Sequence, residues 1–298
     1  MKSLLKALLA SVGLATLSGT AAIAQTETME LSFAEALADT ANWREVDPEN
    51  LIVFDIATSA GETRGRVIIE TAAFAAPQHV DQFKKIVRSG DFDGTIFHRV
   101  IDDFMAQGGD VAAMKPEAEP WPNIPGEFVF QRKPNDASDD KPAVQYLGEA
   151  NTATNGYALG FPIQTQSEFL AALTEDGIVE SWMPHCKGMV STARTSDPNS
   201  GQTQFFLMRE TSPHLDRQYT SWGRIVSGQD VVDAIKTGEP VRRPDVLSKA
   251  IMASDMSEDE RPRVLVQRTD GPLFETVLTE NAGANVCTLS PVPAIVSY

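Results

Sequence analysis

The chain has 298 residues, 42% of them hydrophobic, with 25 basic against 41 acidic side chains and a formal charge of −16. That is material for one large domain, or a core domain with elaborations. So acidic a surface repels nucleic acid and anionic lipid and excludes them as partners; it fits simple solubility, or a preference for basic client chains.

Residues 1–24 begin with Lys2 and Lys6, continue through an apolar stretch from Ala7 to Leu17 and end Ala22-Ile23-Ala24 before Gln25. A basic start, a hydrophobic middle and a small-residue cleavage site are the marks of a secretory signal. Ser11, Gly13 and Thr16 break the apolar run, which is too short to span a bilayer. Cleavage removes two lysines and no acid, so the formal charge of −16 becomes −18. The expectation is a periplasmic protein with no membrane insertion once the signal is gone.

An N-terminal extension, 25–48, follows, in which Ser32-Phe33-Ala34-Glu35 has the form of a capping box opening a helix towards Trp43. Residues 51–57 alternate and are rich in β-branched side chains, as a strand is, and 65–70 read as the hairpin partner across a turn at Ala60-Gly61. From Pro77 the apolar residues Val80, Phe83, Ile86 and Val87 recur every three or four positions until Gly90, which predicts an amphipathic helix. Residues 95–101 and 105–107 read as strands around a turn at Asp102-Asp103. Strand alternation puts Phe97 and Arg99 on one face and His98 on the other.

Within that stretch Arg99 stands among Phe104, Met105 and Gln107. Rotation about an X-Pro bond meets a barrier of roughly 20 kcal/mol because amide resonance is lost as the bond twists. A catalyst needs an apolar slot for the ring, donors for the neighbouring carbonyls, and a cation favouring the twisted nitrogen. Arg99 can supply the cation, and Phe104 and Met105 the slot. The order Phe97-His98-Arg99, Phe104-Met105, Gln107-Gly108-Gly109-Asp110 resembles the signature of the cyclophilin family of peptidyl-prolyl cis-trans isomerases. A second block of that family is matched by Gly188 to Thr195 with Gln204-Phe205-Phe206-Leu207, and a third by Leu215-Asp216 with Trp222 to Val226. Three ordered blocks are far more specific than any one of them.

The resemblance implies a mainly β fold, a closed eight-stranded antiparallel barrel plugged by two helices, within a domain at 49–270. Residues 77–90 would be the first plug and 229–236, ending at Gly238, the second; 263–267 would return as the closing strand. Between about 111 and 184 the chain is longer than a minimal cyclophilin, with Pro116, Pro120, Pro122, Pro125 and Pro134 and the polar run 135–140. Within it Thr165-Gln166-Ser167-Glu168 has the form of a cap for a helix carrying Phe169, Leu170 and Leu173 up to Gly177. This insertion is either a client-contacting flap or an inert elaboration. Residues 271–298 form a polar tail. Its Cys287 and the earlier Cys186 are an even pair that an oxidising compartment permits to bond. His185 beside Cys186 lacks a second ligand pair at zinc spacing and reads as a satisfied or exposed histidine, so no metal or cofactor is expected.

Carried over residue by residue, the resemblance makes Arg99 the catalytic cation and Gln107 a donor to a substrate carbonyl. Phe104, Met105, Phe206 and Leu215 would form the proline pocket, the backbone at Ala193, Arg194 and Thr195 would grip an extended substrate, and Gln204 would support the floor. His98 would be structural, because bond rotation abstracts no proton. Where eukaryotic cyclophilins place tryptophan before the Leu-Asp pair this chain has His214, and beyond Leu215 it has Tyr219. Loss of the indole implies weak cyclosporin binding, and Arg194 with Tyr219 resembles the bacterial branch. The implied activity is prolyl isomerisation in periplasmic folding by a monomer acting on proline-containing unfolded or extended polypeptides. A client-holding module on the same fold is the alternative.

Overall fold

The computed structural model describes residues 31–134, 142–289 and 291–298, so the signal-like segment 1–24 and the polar run 135–140 lie outside the described residues. Residues Ser32–Tyr298 form one compact unit. Its centre is a curled antiparallel sheet ordered Thr95–Ile96, Val246–Met252, Leu51–Ala57, Thr63–Thr71, Ser221–Ser227, Met189–Thr192, Phe205–Met208, Met105–Gly108 and Arg99–Ile101. The first and last of these nine strands are consecutive in the chain, interrupted only by Phe97 and His98. Counted as one ribbon they give the expected eight, although among the described residues no ladder joins the two edges to close a barrel.

That interruption corrects the expected facing of Phe97 and Arg99. Phe97 donates its N–H to the Asp245 carbonyl at 3.0 Å, in register with the Ile96–Val246 pair, and its ring is buried in the inner core with Val100. Arg99, before Val100 in the resumed strand, then stands on the opposite face. Two residues out of strand conformation undo the alternation on which the facing rested.

Both faces of the sheet are covered, and this decides where the site can be. Along Leu51–Ala57 the side chains of Ile52, Phe54 and Ile56 enter the inner core, where Phe83, Phe92, Phe205 and Trp222 pack, while Leu51 and Val53 enter an outer core with Tyr157, Phe161 and Phe274. Helix Pro77–Ser89 plugs the inner core with Val80, Phe83, Ile86 and Val87 and stops at Gly90, whose φ of +77° lets its N–H return to the Val87 carbonyl. Its first N–H groups have no local side-chain cap; Glu127, 48 residues downstream of His79, accepts from the Gln78 and His79 amides at 3.1 and 3.0 Å. The second plug is shorter than expected, Gln229–Asp233, with Val232 and Ile235 still fully buried.

The closing strand differs from the one expected. Val246–Met252 pairs with both Leu51–Ala57 and Thr95–Ile96. Arg263–Gln267 instead lies centrally in a separate three-stranded sheet, between Trp43–Glu45 and Ala294–Ser297. The tail is therefore built in: helix Pro272–Glu280 buries Phe274 against Tyr157, and Cys287 bonds to Cys186 with Cα atoms 5.0 Å apart. At the N-terminus the capping box forms as expected, with Ser32 N–H to Glu35 Oε2 at 2.9 Å and Glu35 N–H to Ser32 Oγ at 3.3 Å; the helix ends at Ala38.

The long insertion folds as a five-stranded antiparallel sheet, Phe130–Arg132, Val179–Trp182, Phe161–Thr165, Asn155–Ala158 and Gln145–Tyr146. The expected Thr165 cap does not form, because Thr165 ends a strand and its buried hydroxyl bonds to Arg132 and Ser181. The helix after it shrinks to Glu168–Ala171 and leaves Phe169 and Leu173 more than half exposed. A buried ion network ties this sheet to the centre. Glu70 pairs with Arg224 at 2.7 Å and Arg44 at 2.5 Å, and the two arginines also donate to the Gly160 and Leu159 carbonyls. With Glu70 and Arg224 each about 4% exposed, Glu70 supplies the charge that lets the Arg224 guanidinium lie out of water.

Candidate active site

Cross-strand register sets the site. Arg99 is directly opposite Gln107, Gln107 opposite Phe206, and Phe206 opposite Ser191, so one row of residues crosses four strands. Met105 and Phe206 point to the outer face because their strand neighbours Ala106, Phe205 and Leu207 fill the inner core. Leu215 closes the slot from a short 3-10 turn, Pro213–Leu215, and is 7% exposed. Asp216 holds that turn by accepting the His185 N–H at 2.7 Å and facing its Nδ1 at 2.9 Å. His185 in turn lies parallel to the Phe206 ring, 6.0 Å centre to centre, so this histidine is buried and satisfied.

These residues enclose a cleft of about 130 Å3 lined by Arg99, Phe104, Met105, Gln107, Ala193, Arg194, Phe206, Leu215 and Tyr219. That is well below the roughly 300–1,000 Å3 of pockets for drug-sized ligands; a single small ring fits it. Thr195 and Gln204 line an adjoining depression with Gln107 and Ala193, and His214 is an exposed rim residue beside Phe104, with ring centres 5.6 Å apart. The expected backbone grip is narrower than the sequence implied. The Ala193 N–H already donates to the Gln204 carbonyl at 2.9 Å and the Thr195 N–H to Ser200 Oγ at 2.9 Å.

A polar relay runs along the row. Arg99 Nη1 donates to Gln107 Oε1 at 3.4 Å, and Gln107 Nε2 donates to Gln204 Oε1 at 2.9 Å. On its other edge Arg99 donates from Nε to Glu239 Oε1 at 2.6 Å. Glu239 was not anticipated, since it lies 140 residues from Arg99 and belongs to no motif block. Phe128 was also missed. Its ring and that of Tyr219 flank the Arg194 guanidinium at 5.7 and 4.4 Å, so the insertion touches the edge of the cleft. Among the described residues no nucleophile with an activating base stands here; the arrangement offers an apolar slot, a cation at its rim and a fixed amide.

Two buried or half-buried histidines, His185 and His98, resist protonation. Burial pushes the His185 imidazole below its ordinary value of 6.5 against the opposing bond to Asp216, and burial likewise lowers His98 against the pull of Asp110. The unfolded chain therefore takes up protons where the folded chain does not. The two histidines' contribution to stability is complete above the ordinary histidine value and is lost as pH falls from there through the lowered folded-state values, by at most about 1.4 kcal/mol per pH unit for each histidine. Urea midpoints measured at about pH 7.5 and about pH 5.5 should show the lower value at the acidic pH; equal midpoints would refute it.

Residues 53–255 match the family described as cyclophilin type peptidyl-prolyl cis-trans isomerase/CLD. A Brucella abortus protein described as "Probable peptidyl-prolyl cis-trans isomerase" is 33% identical over 214 residues, spanning 70% of this chain and 85% of that protein. A peptidyl-prolyl cis-trans isomerase of Streptomyces antibioticus is 32% identical over 190 residues, 61% of this chain and 81% of its own length. Among solved structures, a cyclophilin from Hirschia baltica is similar with a TM-score of 0.81 and 45% identity, covering 90% of this chain and 98% of that one.

Proposed function

The chain belongs to the cyclophilin-type peptidyl-prolyl cis-trans isomerases, and from that membership we propose that it isomerises X-Pro bonds of extended chains in the periplasm, with Arg99 as the catalytic cation. The activity itself, accelerated rotation about prolyl peptide bonds, is that of the family. The observation carrying the assignment of roles is Arg99 at the rim of a cleft sized for one ring, in cross-strand register with Gln107.

Phe104, Met105, Phe206 and Leu215 take the proline ring, which is desolvated there while its flanking carbonyls stay within reach of polar groups. As the bond twists, the nitrogen regains a lone pair, and an N–H of Arg99 donates to it. Gln107, held by Gln204, presents its amide to a substrate carbonyl. No covalent intermediate is needed. Support for the periplasmic assignment is the signal-like segment 1–24, the acidic composition and the Cys186–Cys287 disulfide, a bond favoured in oxidising compartments. A monomer acting on unfolded proline-containing polypeptides completes the reading.

Fractionation of a bacterial host expressing the full chain tests the compartment. Periplasmic protein with the intact mass of residues 25–298 and no titratable thiol is the expected result. Full-length, reduced protein in the cytosol would overturn it. Exchange spectroscopy on a short X-Pro peptide tests the roles.

A further inference from the structure

Arg99 is held on one edge by a residue that no motif contains. Its Nε–H donates to Glu239 Oε1 at 2.6 Å and its Nη1 to Gln107 Oε1 at 3.4 Å, whereas Nη2 has no partner among the described residues. Glu239 comes from the loop after the short helix Gln229–Asp233, and that loop is bonded to the strand on both sides of Arg99. Gly238 and Val100 exchange both backbone hydrogen bonds, at 2.8 and 2.9 Å, and the Val241 N–H donates to the His98 carbonyl at 3.0 Å. Val241, 8% exposed, is sunk in the inner core. Gly238 turns the loop with φ +154°; a Cβ there would come within 2.8 Å of Val241 Cα. The carboxylate is thus delivered to the guanidinium by backbone bonds at positions 98 and 100, and cannot slide along the strand without breaking them.

The pair does little for the fold. Its side chains are 36% and 58% exposed, and exposed ion pairs contribute little to stability. Its consequence is directional. Guanidinium N–H groups lie in one rigid plane, so fixing Nε on Glu239 and Nη1 on Gln107 fixes that plane and leaves Nη2 as the nitrogen neither partner engages.

We infer that Glu239 is a positioning residue for isomerisation, acting through Arg99 by clamping the guanidinium with its Nη2 edge towards the bound prolyl nitrogen. This rests on Arg99 being the catalytic cation. A competing consequence of the carboxylate is to weaken the positive charge, and the two effects have opposite signs on removal. The twisted nitrogen carries a lone pair and no net charge, so the hydrogen bond depends more on alignment than on charge. Alignment decides the sign.

Line-shape NMR on an X-Pro peptide, resolving kcat from KM, is the test, applied to wild type, Glu239→Gln, Glu239→Ala, Arg99→Ala and the Arg99→Ala/Glu239→Ala double variant. Glu239→Ala should lower kcat about tenfold with KM within about twofold of wild type, because misplacement of a reacting group is felt in the transition state. Glu239→Gln, whose amide oxygen still accepts from Nε, should lose less. The Arg99 Nε–H resonance should shift and exchange faster with water in Glu239→Ala, while thermal unfolding is unchanged. In the Arg99→Ala background Glu239→Ala should cost nothing further. Unchanged or increased kcat in both Glu239 variants, with Arg99→Ala inactive, overturns the role of Glu239 alone; so does an equal loss in the Arg99→Ala background. An active Arg99→Ala overturns the assignment of Arg99, and the clamp with it.

Discussion

Replacing Arg99 with alanine is expected to lower kcat/KM for X-Pro exchange by about 10²–10³-fold, comparable to the loss of one preorganised donor elsewhere in catalysis, and to leave the urea midpoint nearly unchanged. A rate gain of about 10⁵ corresponds to only about 7 kcal/mol of preferential stabilisation of the twisted state. In this cleft, that must come from desolvating the ring, holding the flanking carbonyls, and one charge-assisted bond to the nitrogen. The bond is the part made only as the bond twists, so its loss falls on kcat. Stability is spared because Arg99 is 36% exposed and its partner Glu239 58% exposed. Arg99→Lys should recover little: a single ammonium cannot bond Glu239 and Gln107 and still present a third, coplanar N–H to the substrate. Retention of more than about a tenth of wild-type activity in Arg99→Ala would exclude Arg99 as the principal catalytic group.

What was legible in the sequence follows from how local each signal is. The Leu51–Ala57 and Thr63–Thr71 hairpin, the Pro77–Ser89 helix and the Ser32–Glu35 box rest on residues within one turn or one strand of each other, and all form. The cleft residues were legible for a different reason. Short fixed spacings around Arg99, Ala193 and Leu215 mark them, and a strand, a strand end and a 3-10 turn bring the three to one cleft. The misreadings concern partner choice across the chain. Arg263–Gln267, with its Val-Leu-Val core, looks more like a barrel strand than Val246–Met252, which carries exposed Ser248 and Lys249. Yet which sheet a strand joins is settled by what covers its faces. Arg263–Gln267 buries Val264 and Val266 in the outer core and pairs with Trp43–Glu45 and Ala294–Ser297. Glu239 and Phe128 reach the site through loop contacts that leave no periodic trace.

The outer core also sets what the disulfide does, and its removal is the second large effect. Cys186 is fully buried two residues after Pro184, and next to it His185 lies against Phe206, while Cys287 sits in a 3-10 turn, Val286–Thr288, capped by the Asn285 side chain. Even without the bond the tail would stay docked, because Ala294–Ser297 pairs with Arg263–Gln267 and Phe274 is 3% exposed against Tyr157. The folded state therefore loses little, and the cost arises in the unfolded chain, which regains the freedom of a loop spanning 101 positions. The loop-entropy relation puts this at about 4–5 kcal/mol for a loop of roughly 100 residues. Cys186→Ala/Cys287→Ala should lower the unfolding free energy by that order, and reduction of the wild type should match it. The m-value should rise, because an uncrosslinked unfolded chain exposes more surface. Isomerase activity at temperatures where both proteins are folded should be unchanged, since no cleft residue depends on the bond. A loss below about 1 kcal/mol would mean that the unfolded chain stays compact without the crosslink. A parallel loss of activity would instead show that Cys287 props the His185–Phe206 contact, shifting the effect from the unfolded chain to the site itself.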